Sequence, residues 1–158
     1  HSSRPVAYTH CAPAAFKDHP RNKSDEQLKM IADRGGFVGF ATYPPFMAKG
    51  DDTTVEDCVE TLEYLVNLVG EDTVGIGTDF TQEQDAAFFD WLSMDKGTGR
   101  RLVPKRPGGV TLMPKGLRTI GEFPNLTRAM VDRGWPETRI RKVMGENWMR
   151  VLREAWGA

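Results

Sequence analysis

Two side chains that could do chemistry follow short apolar runs of the sequence. His10 follows PVAYT at residues 5–9, and Asp79 follows TVGIGT at residues 73–78. If both runs are parallel strands, these side chains lie at carboxyl ends, the sheet edge where α/β proteins place their active sites. Imidazole and carboxylate groups there could ligate a metal ion or serve as acid and base in hydrolysis. The structural alternatives are a core or loop histidine and an aspartate that only caps a turn or helix.

A third candidate is Arg21, which lies eleven residues after His10 in a polar segment. Its guanidinium could bind a carboxylate through two parallel hydrogen bonds, although an ordinary solvated arginine is the alternative.

Other motifs favour structural interpretations. GIGTD at residues 75–79 lacks the third glycine and the following helix of a dinucleotide-binding loop, so its glycines are interpreted as positions of close packing in a strand. The basic cluster at residues 100–106 has few interleaved aromatics and is interpreted as a solvated loop rather than a nucleic-acid site. His1 and His19 are interpreted as surface residues.

The composition excludes several classes of protein. The 158 residues suffice for one domain with a core, and a net charge of −1 gives no overall field for nucleic acid or an anionic membrane. No apolar run approaches the roughly 20 residues of a membrane-spanning helix, and the first residues do not resemble a signal peptide. Cys11 and Cys58 lie far apart without CxxC spacing, which indicates free thiols in a reducing compartment. We therefore expect a cytoplasmic protein, with N-terminal targeting information absent from this sequence.

The elements that must position the candidate side chains alternate between strand and helix. Apolar runs predict strands at residues 5–10, 37–43 and 73–80, and the spacing of apolar residues predicts helices at 24–34 and 55–68 between them. This alternation predicts two right-handed crossovers and a parallel sheet, and hence an α/β fold.

Local signals set the helix boundaries. Ser24 and Gln27 have the spacing of a capping box, and Thr54 precedes the second helix as its cap. Residues 81–124 are rich in glycine, proline and charge, with one short helix around 85–92, and are interpreted as a functional or mobile loop. Helices return at 126–133 and at 136–156, the latter with Pro136 in its first turn.

Four segments in order resemble the membrane (renal) dipeptidase family of zinc metallopeptidases. They are YTHCAP (8–13), RNKSDEQL (21–28), VGIGTDF (74–80) and the helix pair GLRTIGEFPNLTRAMVDRGWPETRIRKVMGENWMRVL (116–152). The resemblance implies an α/β fold that is the C-terminal portion of a (β/α)8 TIM-type barrel, with about three parallel strands. Residues 1–158 would form the C-terminal part of one domain whose N-terminal part is absent. The sequence departs from the family at Thr81-Gln82, where members often have Asp-Gly, and in the length of the 81–124 loop.

The resemblance also implies an activity. It implies a zinc-dependent dipeptidase that hydrolyses dipeptides with a free C-terminal carboxylate through a metal-bridging hydroxide. By the resemblance His10 ligates one of two zinc ions, and Arg21 binds the substrate carboxylate. Asp79 contacts the substrate and is the catalytic acid/base. Because the family's other metal ligands lie in the first half of the barrel, we expect this chain alone to be inactive.

Two other functions remain open, as does a homodimer. The first is a metal-free α/β binding module that completes its sheet by self-association. The second is another amidohydrolase-like metal hydrolase with a different amide substrate, which would not need Arg21 to bind a terminal carboxylate.

Overall fold

A single sheet organises the chain in the computed structural model, which describes residues 2–80, 85–94 and 113–157. Its strands are β1 (Ala7–Cys11), β2 (Phe37–Phe40) and β3 (Val74–Ile76), in the order β1-β2-β3. Both pairs are parallel. The predicted α/β class with three parallel strands is therefore confirmed. The basic cluster at 100–106, His1 and Thr81-Gln82 lie outside the described residues.

Helices connect and follow these strands. The α-helices are α1 (Asp25–Ala32), α2 (Val55–Val69), α3 (Ala86–Ser93), α4 (Pro124–Asp132), α5 (Glu137–Arg141) and α6 (Asn147–Trp156). Short 3₁₀ helices lie at Pro44–Phe46, Gly50–Asp52 and Ile120–Glu122. Within the described ranges, no helix combines the length and apolarity needed to cross a membrane.

The capping predicted for α1 and α2 is confirmed. Ser24 Oγ accepts from the backbone N–H of Gln27, whose Oε1 accepts from the Ser24 N–H at 3.0 Å. Thr54 and Asp57 form the same reciprocal pair at the start of α2. Each box satisfies two backbone donors that a helix N-terminus leaves without a partner, so these two helices begin where local sequence places them.

Several predicted elements are shorter than expected, and the strand predicted at 37–43 ends at Phe40. The strand predicted at 73–80 ends at Ile76, and Asp79 beyond it has a φ of 60°, which no strand can accommodate. The helix predicted at 136–156 is interrupted by a π-helical turn at Lys142–Glu146, where Gly145 has non-helical backbone angles. Pro136 precedes α5 as its cap instead of occupying the first turn.

The two faces of the sheet carry different residues. Val38 and Phe40 of β2 are fully buried in the main core with Leu28 of α1 and Leu62 of α2. Phe37 faces the opposite side, where its ring centroid lies 4.0 Å from that of Trp148 in α6. Alternation along the strand separates these two sets of contacts.

The predicted free thiols are both present in the main core. Cys11 and Cys58 are buried and form no disulfide. Burial raises the pKa of Cys11 to about 12, with Lys23 opposing the shift. Burial raises the pKa of Cys58 as well. Both thiols are therefore protonated packing groups.

Helix α6 is bound to the segments that lead into β2 and β3. The amide of Asn147 donates to the carbonyl oxygens of Glu71 and Val74, both at 2.7 Å. Arg150 donates to the carbonyl oxygens of Gly35, Gly36 and Asp72. These bonds satisfy carbonyl groups next to β2 and along β3, so α6 closes this end of the sheet.

Replacing Asn147 by alanine should destabilise the protein. Asn147 is 4% exposed, and its loss leaves two carbonyl oxygens without their donor. We expect the free energy of unfolding to fall by about 2 to 4 kcal/mol, measured by urea denaturation. The matched control is Asn67→Ala on the exposed face of α2, which should change it by less than about 0.5 kcal/mol. Equal effects of the two substitutions would contradict this role.

Candidate active site

A β-bulge determines how His10 leaves the sheet. Between two paired positions, β1 has two residues, Thr9 and His10, opposite the single residue Gly39 of β2. A bulge of this kind re-aims the side chains of the longer strand. Thr9 Oγ1 consequently lies 2.8 Å from His10 Nδ1, although strict alternation would place neighbouring side chains on opposite faces.

Two glycines make room for this bulge. A Cβ atom at Gly39, or at Gly77 just beyond β3, would overlap the carbonyl oxygen of Thr9. A Cβ at Gly75 would meet the ring of Phe37. The interpretation of the GIGTD glycines as positions of close packing is confirmed. His10 therefore depends on small residues in both neighbouring segments.

Arg21 lies against His10. Its Nη2 is 3.2 Å from His10 Nε2. Because a guanidinium only donates hydrogen bonds, Nε2 must be the acceptor, and a neutral ring then has its proton on Nδ1, directed at Thr9 Oγ1. The lone pair therefore lies on Nε2, where a metal ion would take the place of the Arg21 donor.

The loop that carries Arg21 is fixed at its ends and at its centre. Lys23 N–H donates to the Ala12 carbonyl at 2.9 Å, which closes the loop beside the end of β1. Asn22 is 7% exposed, and its amide donates to the carbonyl oxygens of Lys17 and Phe46 at 2.9 and 3.0 Å. The residue after Arg21 is thus anchored to the segment that follows β2.

An aromatic cluster supports the Arg21 side chain. The guanidinium carbon lies 5.4 Å from the centroid of the Phe46 ring, a cation–π distance. Phe46 is buried and also contacts the rings of His19 and Tyr43, each with centroids 5.0 Å apart. His19 is a partly exposed residue, whose ring lies against Phe46 and whose Nδ1 accepts from the Arg21 N–H at 3.1 Å. No local pattern links His19 to a ring 27 positions away.

The surroundings of His19 favour its neutral form. Burial lowers its pKa, and the nearby cations Lys17 and Arg21 lower it further, while Asp18 acts in the opposite direction. A neutral ring keeps a lone pair on Nδ1, which the bond from the Arg21 N–H requires.

Asp79 projects from the same edge of the sheet, beyond β3. It is the one non-glycine residue with positive φ in the described ranges. Its side chain is exposed and has no hydrogen-bond or ion-pair partner among residues 2–80, 85–94 and 113–157. The structure thus brings His10 and Arg21 into contact and places Asp79 two strands away at the same edge.

Comparison with protein families identifies the chain. The family model for membrane dipeptidase, peptidase family M19, matches residues 1–92 and 105–157. The chain belongs to the membrane dipeptidase family. The sequence resemblance to this family is confirmed.

The proteins to which the chain is similar are much longer than the chain. An amidohydrolase from Pseudomonas aeruginosa superposes with a TM-score of 0.92 and 57% identity, over 99% of this chain and 47% of its own. A metallopeptidase from Rhodobacter sphaeroides, liganded with a phosphinate mimic of the dipeptide L-Ala-D-Ala, gives 0.75 and 29% over 98% and 37%. Dipeptidase aclJ from Aspergillus oryzae is 28% identical over 94% of this chain and 29% of its length. The chain spans less than half the length of each.

Membrane dipeptidases of family M19 are metallopeptidases, which makes imidazole and carboxylate side chains of this chain candidate metal ligands. His10 fits one ligand position, because its Nε2 carries the lone pair that a metal ion needs. Its Nδ1 N–H is hydrogen-bonded to Thr9 Oγ1, which orients the ring. The described residues contain no cluster of three or more His, Cys, Asp or Glu side chains that could hold an ion. A complete set of metal ligands is therefore absent from the described residues.

The neutral state of His19 should be visible in a titration. Because the pKa of His19 is lowered in the folded protein, the unfolded chain binds more protons than the folded one near pH 6. The stability that His19 contributes is therefore fully present above its ordinary pKa of 6.5. This stability is lost as the pH falls through the folded-state pKa. NMR of the imidazole Cε1 proton should give a pKa below 6.5, and His19→Gln should reduce the loss of stability between pH 7.5 and 5.5. A His19 pKa at or above 6.5 would contradict the neutral ring.

Proposed function

We propose that this protein is a zinc-dependent dipeptidase acting on dipeptides with a free C-terminal carboxylate. Residues 1–158 would form the C-terminal part of one barrel domain, and we expect this part alone to be inactive. The observation that carries the proposal is the contact between Arg21 and His10 in an M19 chain. The contact places Arg21, which can bind a carboxylate, beside His10, which can ligate a metal ion. A dipeptide is short enough for its terminal carboxylate to reach the first group while its peptide bond lies near the second.

Each of the three side chains has a distinct role in this proposal. His10 Nε2 is a metal ligand, and the Arg21 guanidinium binds the terminal carboxylate while Phe46 supports it from below. Two zinc ions, when bound, would supply Lewis-acid activation of the peptide carbonyl and of the attacking water. Asp79 accepts the proton released by the attacking water and donates a proton to the departing amine.

The relatives support a peptide substrate. The Rhodobacter sphaeroides metallopeptidase holds a mimic of L-Ala-D-Ala, and the Aspergillus oryzae relative is named a dipeptidase. The Pseudomonas aeruginosa relative is described more broadly as an amidohydrolase, so an amide other than a dipeptide is the second candidate substrate class. A direct test is zinc content together with hydrolysis of dipeptides by the full natural protein. Bound zinc without dipeptide hydrolysis would refute the first substrate class.

Replacing Asp79 by asparagine should abolish proton transfer without disturbing the backbone, because asparagine tolerates positive φ. We expect kcat to fall by about 10²- to 10⁴-fold, with KM and zinc content near wild type. Steady-state kinetics and elemental analysis provide both measurements. Loss of zinc in parallel with activity would instead make Asp79 a metal-binding or structural residue.

Replacing Arg21 by alanine should weaken substrate binding. A charge-assisted bond to a carboxylate contributes about 1.5 to 3 kcal/mol, so we expect KM to rise by about 10- to 100-fold. An amidated dipeptide lacks the carboxylate, and its hydrolysis should respond little to the change. Arg128→Ala, at an exposed site on α4, is the matched control. An unchanged KM for the free-acid dipeptide would remove Arg21 from the site.

A further inference from the structure

A buried hydroxyl links β2 to the segment that carries Asp79. The backbone ladder between β2 and β3 ends where the Gly77 N–H donates to the Phe40 carbonyl at 2.9 Å. Beyond this point Thr42, which is 0% exposed, donates from Oγ1 to the Thr78 carbonyl oxygen at 3.2 Å. The Thr42 side chain thus extends the pairing of the two segments by one more bond, after the backbone bonds have stopped.

The peptide unit that receives this bond is the one that leads into Asp79. A φ of 60° is disfavoured for a residue with a Cβ atom and persists only where the surroundings fix the backbone. Thr78 Oγ1 accepts from the Phe80 N–H at 3.3 Å. The carbonyl before Asp79 and the N–H after it are therefore both hydrogen-bonded, while the aspartate side chain itself stays exposed.

The hydroxyl of Thr42 is not needed to fill space. Valine has nearly the same shape, and at a fully buried position it would avoid the cost of desolvating a polar group. The buried hydroxyl instead forms a specific bond to the backbone of the neighbouring segment.

We propose that Thr42 is a positioning residue for Asp79, acting through the Thr78 carbonyl. This inference rests on the proposed dipeptidase function. Thr42 touches neither substrate nor metal in this role. It fixes the direction in which the Asp79 carboxylate leaves the backbone, and a displacement of about 1 Å in a catalytic group is enough to slow a reaction severely.

The test compares Thr42→Val with Thr42→Ser in the full natural protein. Valine removes the hydroxyl and keeps the volume, whereas serine keeps the hydroxyl. We expect Thr42→Val to lower kcat for dipeptide hydrolysis by about 10- to 100-fold, with KM and zinc content within about twofold of wild type. Thr42→Ser should retain most of kcat. Equal losses in both variants, or an unchanged kcat in Thr42→Val, would overturn the positioning role.

A second measurement separates positioning from general stability. If Thr42 acts through Asp79, then Thr42→Val should have no further effect on kcat in an Asp79→Asn background. A multiplicative loss in the double variant would overturn the proposal. Zinc-loaded wild-type protein that hydrolyses no dipeptide would refute the proposed function, whereas an active wild-type protein with an insensitive Thr42→Val variant refutes the positioning role alone.

Discussion

The close approach of the Thr9 carbonyl to Gly39 and Gly77 is the constraint on which the site depends. A side chain at either glycine would occupy the space of this carbonyl. The bulge in β1 therefore requires residues without a Cβ atom in β2 and in the segment after β3. The bulge in turn aims His10 away from the core, while its neighbour Cys11 stays buried. Glycines in two segments therefore determine the direction of a histidine in a third.

Two of the three exposed candidate groups are each coupled to a buried polar anchor. Arg21 precedes Asn22, whose amide bonds two carbonyls inside the protein. Asp79 follows a carbonyl that the buried Thr42 hydroxyl binds. This arrangement meets two requirements of a catalytic site. The reacting groups must be accessible to a substrate, and they must keep few conformations before the substrate binds.

Features that depend on residues close together in the chain could be predicted from the sequence. The capping box of Ser24 and Gln27, and the three strands themselves, follow from local spacing. Features that depend on distant positions could not be predicted from the sequence. The contact of the His19 ring with Phe46, the early end of β3 and the break at Gly145 are determined by packing in three dimensions. The positions of His10 and Asp79 after predicted strands made them candidates, and the family resemblance supplied their roles and that of Arg21. The contact of Arg21 with His10 gives two of the three residues a common location.

The bonds between α6 and the sheet have a consequence for the order of folding. Arg150 binds the carbonyl of Gly35 across a sequence separation of 115 residues, and Asn147 binds that of Val74 across 73. Such non-local contacts form late, because the intervening chain must first lose loop-closure entropy. During synthesis the strands emerge from the ribosome long before α6 does, and their carbonyls lack these donors in the interval. Until α6 has been made, the Phe37 ring also lacks its contact with Trp148, and apolar surface exposed in this way favours aggregation.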